Sequence, residues 1–131
     1  MGVVNTAPEP PGPAPSITPA APSLVHPVTP DPELLESAAA TLRMLAEPTR
    51  LHLLWQLTHG PRTVTELVEA TGAARTVVSQ HLAKLRFSGL VDSRKEGRHV
   101  IYSVPDGHLV RLIREIVNHA DHRITGEPVH D

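Results

Sequence analysis

Two short clusters near the C-terminus, Asp106-Gly107-His108 and His119-Ala120-Asp121-His122, carry the residue types that hold transition metals. Imidazole nitrogens and a carboxylate oxygen suit borderline divalent ions such as zinc, cobalt and nickel. His119 and His122 are three apart, so on a helix they share a face and can share an ion. Asp106 and His108 fall at a helix entrance, where the turning backbone can bring both side chains together. His108 and His119 are eleven residues apart, about 16 Å along a helix axis, so one straight helix cannot close both pairs on one ion. Two copies packed antiparallel across a two-fold axis can do so. Asp106 and His108 of one chain would then meet His119 and His122 of the other, giving two equivalent closed tetrahedral sites. Four N/O ligands favour zinc, with cobalt and nickel as alternatives; nickel prefers six ligands and would draw on His130, Asp131 or another tail residue. Solvated histidines on a polar helix face are the competing reading, and the matching chemistry of the two pairs favours the metal.

A second chemistry lies between Arg75 and His99. Arg75, Lys84, Arg86, Arg94, Lys95 and Arg98 face only Asp92 and Glu96 there, a local +4 in a chain of net charge -2. Such a strip neutralises backbone phosphates. Thr76, Ser79 and Gln80, at helical spacing, form the small polar face that a helix in a major groove turns toward base edges. The expected DNA-contacting set is Arg75, Thr76, Ser79, Gln80, His81, Lys84, Arg94, Lys95 and Arg98. The helix carrying most of it begins Gly72-Ala73-Ala74-Arg75, with no capping side chain and a cation at its positive end. A missing cap costs about 1 kcal/mol and the misplaced charge roughly 0.3 kcal/mol. A phosphate at that end would relieve both; otherwise Arg75 extends into water. Trp55, Phe87 and Tyr102 each fall where a small core would want an aromatic, so there is no stacking platform and single-stranded or RNA ligands are not expected.

The elements that must position these residues follow from periodicity. Leu34, Leu35, Ala38, Leu42 and Leu45 make one apolar stripe of a first helix, opened by Asp31-Pro32. Glu47-Pro48 starts a second helix, to about residue 59, with Leu51, Leu54, Trp55 and Thr58 on one side. Thr63 and Glu66 form a capping box for a short third helix that buries Val64, Leu67 and Val68. After Thr71-Gly72 a fourth helix covers about 74–87, with Val78, Leu82 and Leu85 as its apolar stripe. Alternating segments at 90–95 and 99–104, joined around Glu96-Gly97, read as a β-hairpin. A last helix, about 106–124, carries Leu109, Leu112, Ile113, Ile116, Val117 and Ala120 on its apolar side. Four helices, a hairpin and a terminal helix make a mainly α fold, a winged helix-turn-helix in the order α-α-α-α-β-β-α, expected as a homodimer. Ten of the 14 prolines lie at or before Pro32, which predicts a disordered tail over 1–30, a DNA-binding and dimerisation domain over 31–125 and a flexible end over 126–131.

These segments resemble the ArsR–SmtB family of bacterial metal-responsive repressors. The resemblance is carried by Leu45-Ala46-Glu47-Pro48-Thr49-Arg50-Leu51, Val78-Ser79-Gln80-His81-Leu82-Ala83-Lys84-Leu85, Gly89-Leu90-Val91 and Gly97-Arg98-His99-Val100-Ile101-Tyr102-Ser103-Val104. It implies a metal-free homodimer that binds double-stranded operator DNA and leaves it when metal binds between protomers. It also implies that Asp106, His108, His119 and His122 are that site. The cysteine-based site known elsewhere in the family cannot exist here, because the chain has no cysteine.

The same absence rules out disulfides and thiolate clusters. No stretch approaches the roughly 18 apolar residues of a membrane span, and the proline-rich start lacks a signal peptide's basic end and apolar block. A cytoplasmic protein without membrane partner or small-molecule substrate is expected. An enzyme is not, since a catalytic zinc keeps an open position and four ligands would close this one. A winged-helix regulator answering a non-metal signal is the remaining alternative.

Overall fold

Proline sets the start of the first two helices. In the computed structural model, which describes residues 28–126, α1 (Pro32–Leu45) and α2 (Pro48–Leu57) both open on one. Its fixed φ suits a first helical turn, and its missing N–H has no partner there in any case. Glu47 caps α2, its carboxylate accepting from the Arg50 backbone N–H at 2.8 Å. The Arg50 side chain in turn donates to the Met44 carbonyl at 2.9 Å, so neighbouring charged residues close the corner between the two helices. Residues Met1–Asp31 and Pro32–Asp131 form separate units, and every helix and strand named here lies in the second. The expected tails, with His26, His130 and Asp131, fall outside the described residues except for Val28, Thr29, Pro30 and Gly126.

The third helix, α3 (Val64–Thr71), starts at the capping box its sequence announces: Thr63 accepts from the Glu66 N–H at 3.1 Å, and Glu66 accepts from the Thr63 N–H at 2.8 Å. It ends at Gly72, whose φ of 73° is the left-handed conformation that only glycine adopts without strain. Two residues on, α4 (Arg75–Phe87) begins, completing the helix-turn-helix. β2 (Asp92–Glu96) and β3 (His99–Ser103) pair antiparallel with Glu96 opposite His99, and α5 (Gly107–Thr125) follows with Asp106 as its cap.

The wing has three strands where the sequence predicts two. β1 (Arg62–Thr63) pairs antiparallel with β3, Arg62 opposite Tyr102 and Thr63 opposite Ile101, in the order β1-β3-β2. Two residues are too few to show an alternation. The pairing exists because the extended backbone that makes Thr63 a cap also aligns it with β3. The start of α3 is thereby fastened to the wing.

The core gathers Leu45 of α1, Leu53, Leu54 and Leu57 of α2, Leu67 of α3, Val78, Leu82 and Leu85 of α4, Val91, and Leu109 and Ile113 of α5. Helix α2 packs against each of the other four helices, so it buries Leu53 and Leu57 beyond its expected stripe. Two expectations fail. Along α1 only Leu45 is buried, while Leu34, Leu35 and Leu42 are 44%, 56% and 54% exposed; the stripe is real, but among the described residues it is left largely uncovered. Phe87 is 94% exposed, because α4 buries the Val78–Leu82–Leu85 stripe and Phe87 ends the helix off that line.

Candidate nucleic-acid interface and metal half-sites

Burial of Val78, Leu82 and Leu85 turns the opposite side of α4 outward, where Thr76, Ser79, Gln80 and Lys84 are all exposed. Ala74 caps the helix without any side-chain hydrogen bond, as its sequence predicts. Arg75 is exposed, and its guanidinium donates to the Thr65 hydroxyl of α3 at 2.8 Å. That bond aims the guanidinium from a fixed base. Lys84 and Arg86 lie in the last turn, where cations offset the negative helix end.

His81 is set apart from the exposed members of the expected set. Its side chain is 16% exposed and points inward, with Nε2 3.7 Å from the Glu47 carboxylate. Its Nδ1 is buried and has no hydrogen-bond partner among the described residues. Three positions before Lys84 and one before Leu82, it lies at the edge of the buried stripe, and the α2 cap draws it in. The Arg50 backbone N–H lowers the Glu47 carboxyl below the ordinary carboxylate range, and the nearby His81 and Arg50 charges lower it further against the opposing effect of burial.

On the wing, Lys95 and Arg98 are exposed, while Arg94 Nε donates to Glu96 at 3.1 Å, which spends part of its charge within the strand. A solvent-open pocket of about 220 Å³ lies between wing and helices, lined by Thr63, Val64 and Thr65 at the start of α3, Arg75 of α4, and Arg98, His99 and Val100 of the hairpin. Arg75 and Arg98, well separated in sequence, converge on it because β1 holds α3 against β3.

The four candidate metal ligands all lie on or beside α5. Asp106 caps the helix, using one carboxylate oxygen to accept from the His108 N–H at 2.8 Å, so the two residues adjoin as expected. His108 and His119 are exposed and His122 is half-buried. Among the described residues of one chain, no group of three or more His, Asp or Glu could hold an ion. The donor types fit a borderline divalent ion, but each end of the helix supplies only a pair. Between the pairs, Leu109 and Ile113 are buried while Leu112 and Ile116 are 40% and 44% exposed. Leu112 and Ile116 join Leu42, Leu45, Ala46 and Leu51 around an apolar groove of about 250 Å³.

Three contacts carry no recognisable sequence signal. Arg114 of α5 donates to the Thr58 carbonyl at the end of α2 at 2.8 Å, and neither residue is part of a motif. The Glu47–His81 and Arg75–Thr65 contacts each join residues on different helices, whose approach depends on packing.

Residues 47–93 match the family described as bacterial regulatory protein, arsR family. The HTH-type transcriptional regulator NmtR of Mycobacterium tuberculosis is 41% identical over 92 residues, covering 70% of this chain and 77% of that protein. The HTH-type transcriptional repressor SmtB of the same organism is 39% identical over 94 residues, 72% of this chain and 70% of its own length. Among solved structures, a homodimeric winged helix-turn-helix DNA-binding domain from Mycobacterium bovis, a possible ArsR-family transcriptional regulator, superposes with a TM-score of 0.64 at 31% identity, over 76% of this chain and 92% of that one.

Proposed function

The chain belongs to the ArsR family of bacterial regulatory proteins, and from that premise we propose that it is a metal-responsive transcriptional repressor acting as a homodimer on operator DNA. The exposed side of α4 (Thr76, Ser79, Gln80) reads base edges. Arg75, Lys84, Arg94, Lys95 and Arg98 hold phosphates. His81 is left out, since its ring is committed to the α2 cap. Among the described residues no helix is long and apolar enough to cross a membrane.

One observation carries the metal reading: four donors divide into a pair at each end of α5, with Leu112 and Ile116 left open between them. Asp106 and His108 of one protomer, with His119 and His122 of the partner subunit, would hold a divalent ion, zinc by ligand count, with cobalt or nickel as alternatives. When bound, the ion cross-links the two terminal helices. By linkage, metal weakens operator binding only if it binds the DNA-free dimer more tightly, and DNA must weaken metal binding by the same factor.

The test is a gel-shift of the full chain on the DNA upstream of its own gene, titrated in parallel with zinc, cobalt and nickel. The expected result is a shifted band that one of the ions releases. His119→Ala should keep DNA affinity and lose the metal response. Loss of DNA binding in that variant, or no tightly bound ion per protomer after dialysis against all three metals, refutes the metal assignment.

A further inference from the structure

The pocket between wing and helices has a composition that folding alone does not explain. Arg75, Arg98 and His99 line one solvent-open space of about 220 Å³ together with the hydroxyl-bearing Thr63 and Thr65. Like charges gathered in one concavity repel, and no carboxylate is among the lining residues. Glu66 borders this space, accepting from the Thr63 N–H at 2.8 Å and the Thr63 hydroxyl at 3.3 Å, and Glu96 pairs with Arg94 at 3.1 Å, so among the described residues neither carboxylate is bonded to Arg75 or Arg98. The side chains present are anion donors. Arg75 is steadied by its bond to Thr65 and keeps further N–H groups free to donate, while the Thr65 hydroxyl, acting there as acceptor, retains its own proton. The first turn of α4, uncapped by any side chain, starts at Arg75 with its positive dipole end.

Resting on the DNA-binding reading above, we propose that this pocket is a cradle for one phosphodiester of the bound duplex, and that Arg75 of the reading helix and Arg98 of the wing grip the same phosphate. Thr65 orients Arg75, and His99 lines the same space. Reading helix and wing are then locked to a single point on the DNA backbone, which sets the register in which Thr76, Ser79 and Gln80 meet base edges.

The test uses the full chain and a fluorescein-labelled duplex selected from a random library by the wild-type protein. Single methylphosphonate linkages, which are neutral, are placed one at a time along a half-site, and Arg75→Gln and Arg98→Gln are measured beside wild type after their melting curves are shown to match it. One linkage should weaken wild-type binding roughly tenfold, as expected for loss of a charge-assisted contact, and cost either variant less than about twofold. The double variant should lower the salt slope by about 0.9 per protomer, one phosphate's share. If each variant loses as much as wild type at every linkage, the cradle is refuted. Insensitivity of the two variants at two different linkages, or a slope change near twice that value, refutes it equally by assigning the arginines to separate phosphates. A parallel titration with inorganic phosphate against chloride at constant ionic strength follows the His99 ring resonances. A saturable shift abolished by Arg98→Gln, with no DNA linkage effect, would make the pocket a free-anion site and overturn the proposal. A wild-type protein that selects no duplex refutes the DNA reading and the cradle together; one that selects a duplex without a shared linkage refutes the cradle alone.

Discussion

Arg114 of α5 hydrogen-bonds the end of α2, and its removal has a calculable effect. Its guanidinium donates to the Thr58 carbonyl at 2.8 Å, and Thr58 is the C-cap of α2 and 7% exposed. The acceptor therefore sits at the negative end of a helix, shielded from water. A hydrogen bond from a charged donor contributes about 1.5–3 kcal/mol, and a cation at a helix C-terminus about 0.3–1 kcal/mol. Arg114 is itself exposed, and solvent screening discounts the charge component. Arg114→Met keeps the aliphatic stem and loses the donor, so a cost of about 2 kcal/mol is expected. For a domain of this size that lowers the melting temperature by about 8–16 °C. The assay is thermal unfolding followed by circular dichroism, with chelator present and the protomer concentration fixed, because dimerisation makes the midpoint concentration-dependent. Arg111→Met, exposed on the same helix, serves as the control and should move the midpoint by no more than about 3 °C. If Arg114→Met falls within the range of that control, the bond does not hold α5 to α2, and the apolar contacts of Leu109 and Ile113 do so alone.

Replacing Lys84 with Ala should weaken binding to all duplexes alike and flatten the salt dependence by about one phosphate; an unchanged slope would show that Lys84 touches none. His81→Met removes a buried Nδ1 that has no partner among the described residues together with the Nε2 contact 3.7 Å from Glu47; the two losses oppose one another, so the melting temperature should move by no more than about 3 °C, with DNA affinity within about twofold of wild type. A tenfold loss of affinity at unchanged stability would return His81 to the interface. Acid stability should follow the two capping glutamates. The Thr63 backbone N–H lowers Glu66, with further lowering by the Thr63 hydroxyl and the Arg62 and His99 charges, and Glu47 is lowered by the Arg50 N–H. A carboxyl lowered in the folded state contributes stability that is present above its unfolded value and disappears as pH falls through the folded one. Glu66→Gln should therefore flatten the fall of melting temperature on acidification below the ordinary carboxylate range, and an unaltered acid limb would show that the capping box does not contribute it.

Local rules were enough for what depends on neighbours in the chain. Asp31-Pro32 and Glu47-Pro48 announce two helix starts, Thr63 with Glu66 a capping box, Thr71-Gly72 a helix stop, and the alternation around Glu96-Gly97 a hairpin. Each concerns a few consecutive residues whose backbone preference is intrinsic, and together they order the elements and bring Asp106 beside His108. The i, i+3 spacing of His119 and His122 likewise needs only a helix. Contacts between elements followed a different logic. His81 carries the same ring wherever it lies, but the Glu47 cap of another helix takes it off the open face. Arg75 finds Thr65 because the α3–α4 turn folds it back, and Arg98 reaches the same pocket because the two residues of β1 bind α3 to the wing. Phe87 has the composition of a core residue and the position of a surface one, since the direction of the α4 stripe settles which side is buried. A side chain's type states what it can bond to. Its partner is fixed by distances across the fold, which no run of neighbouring residues encodes.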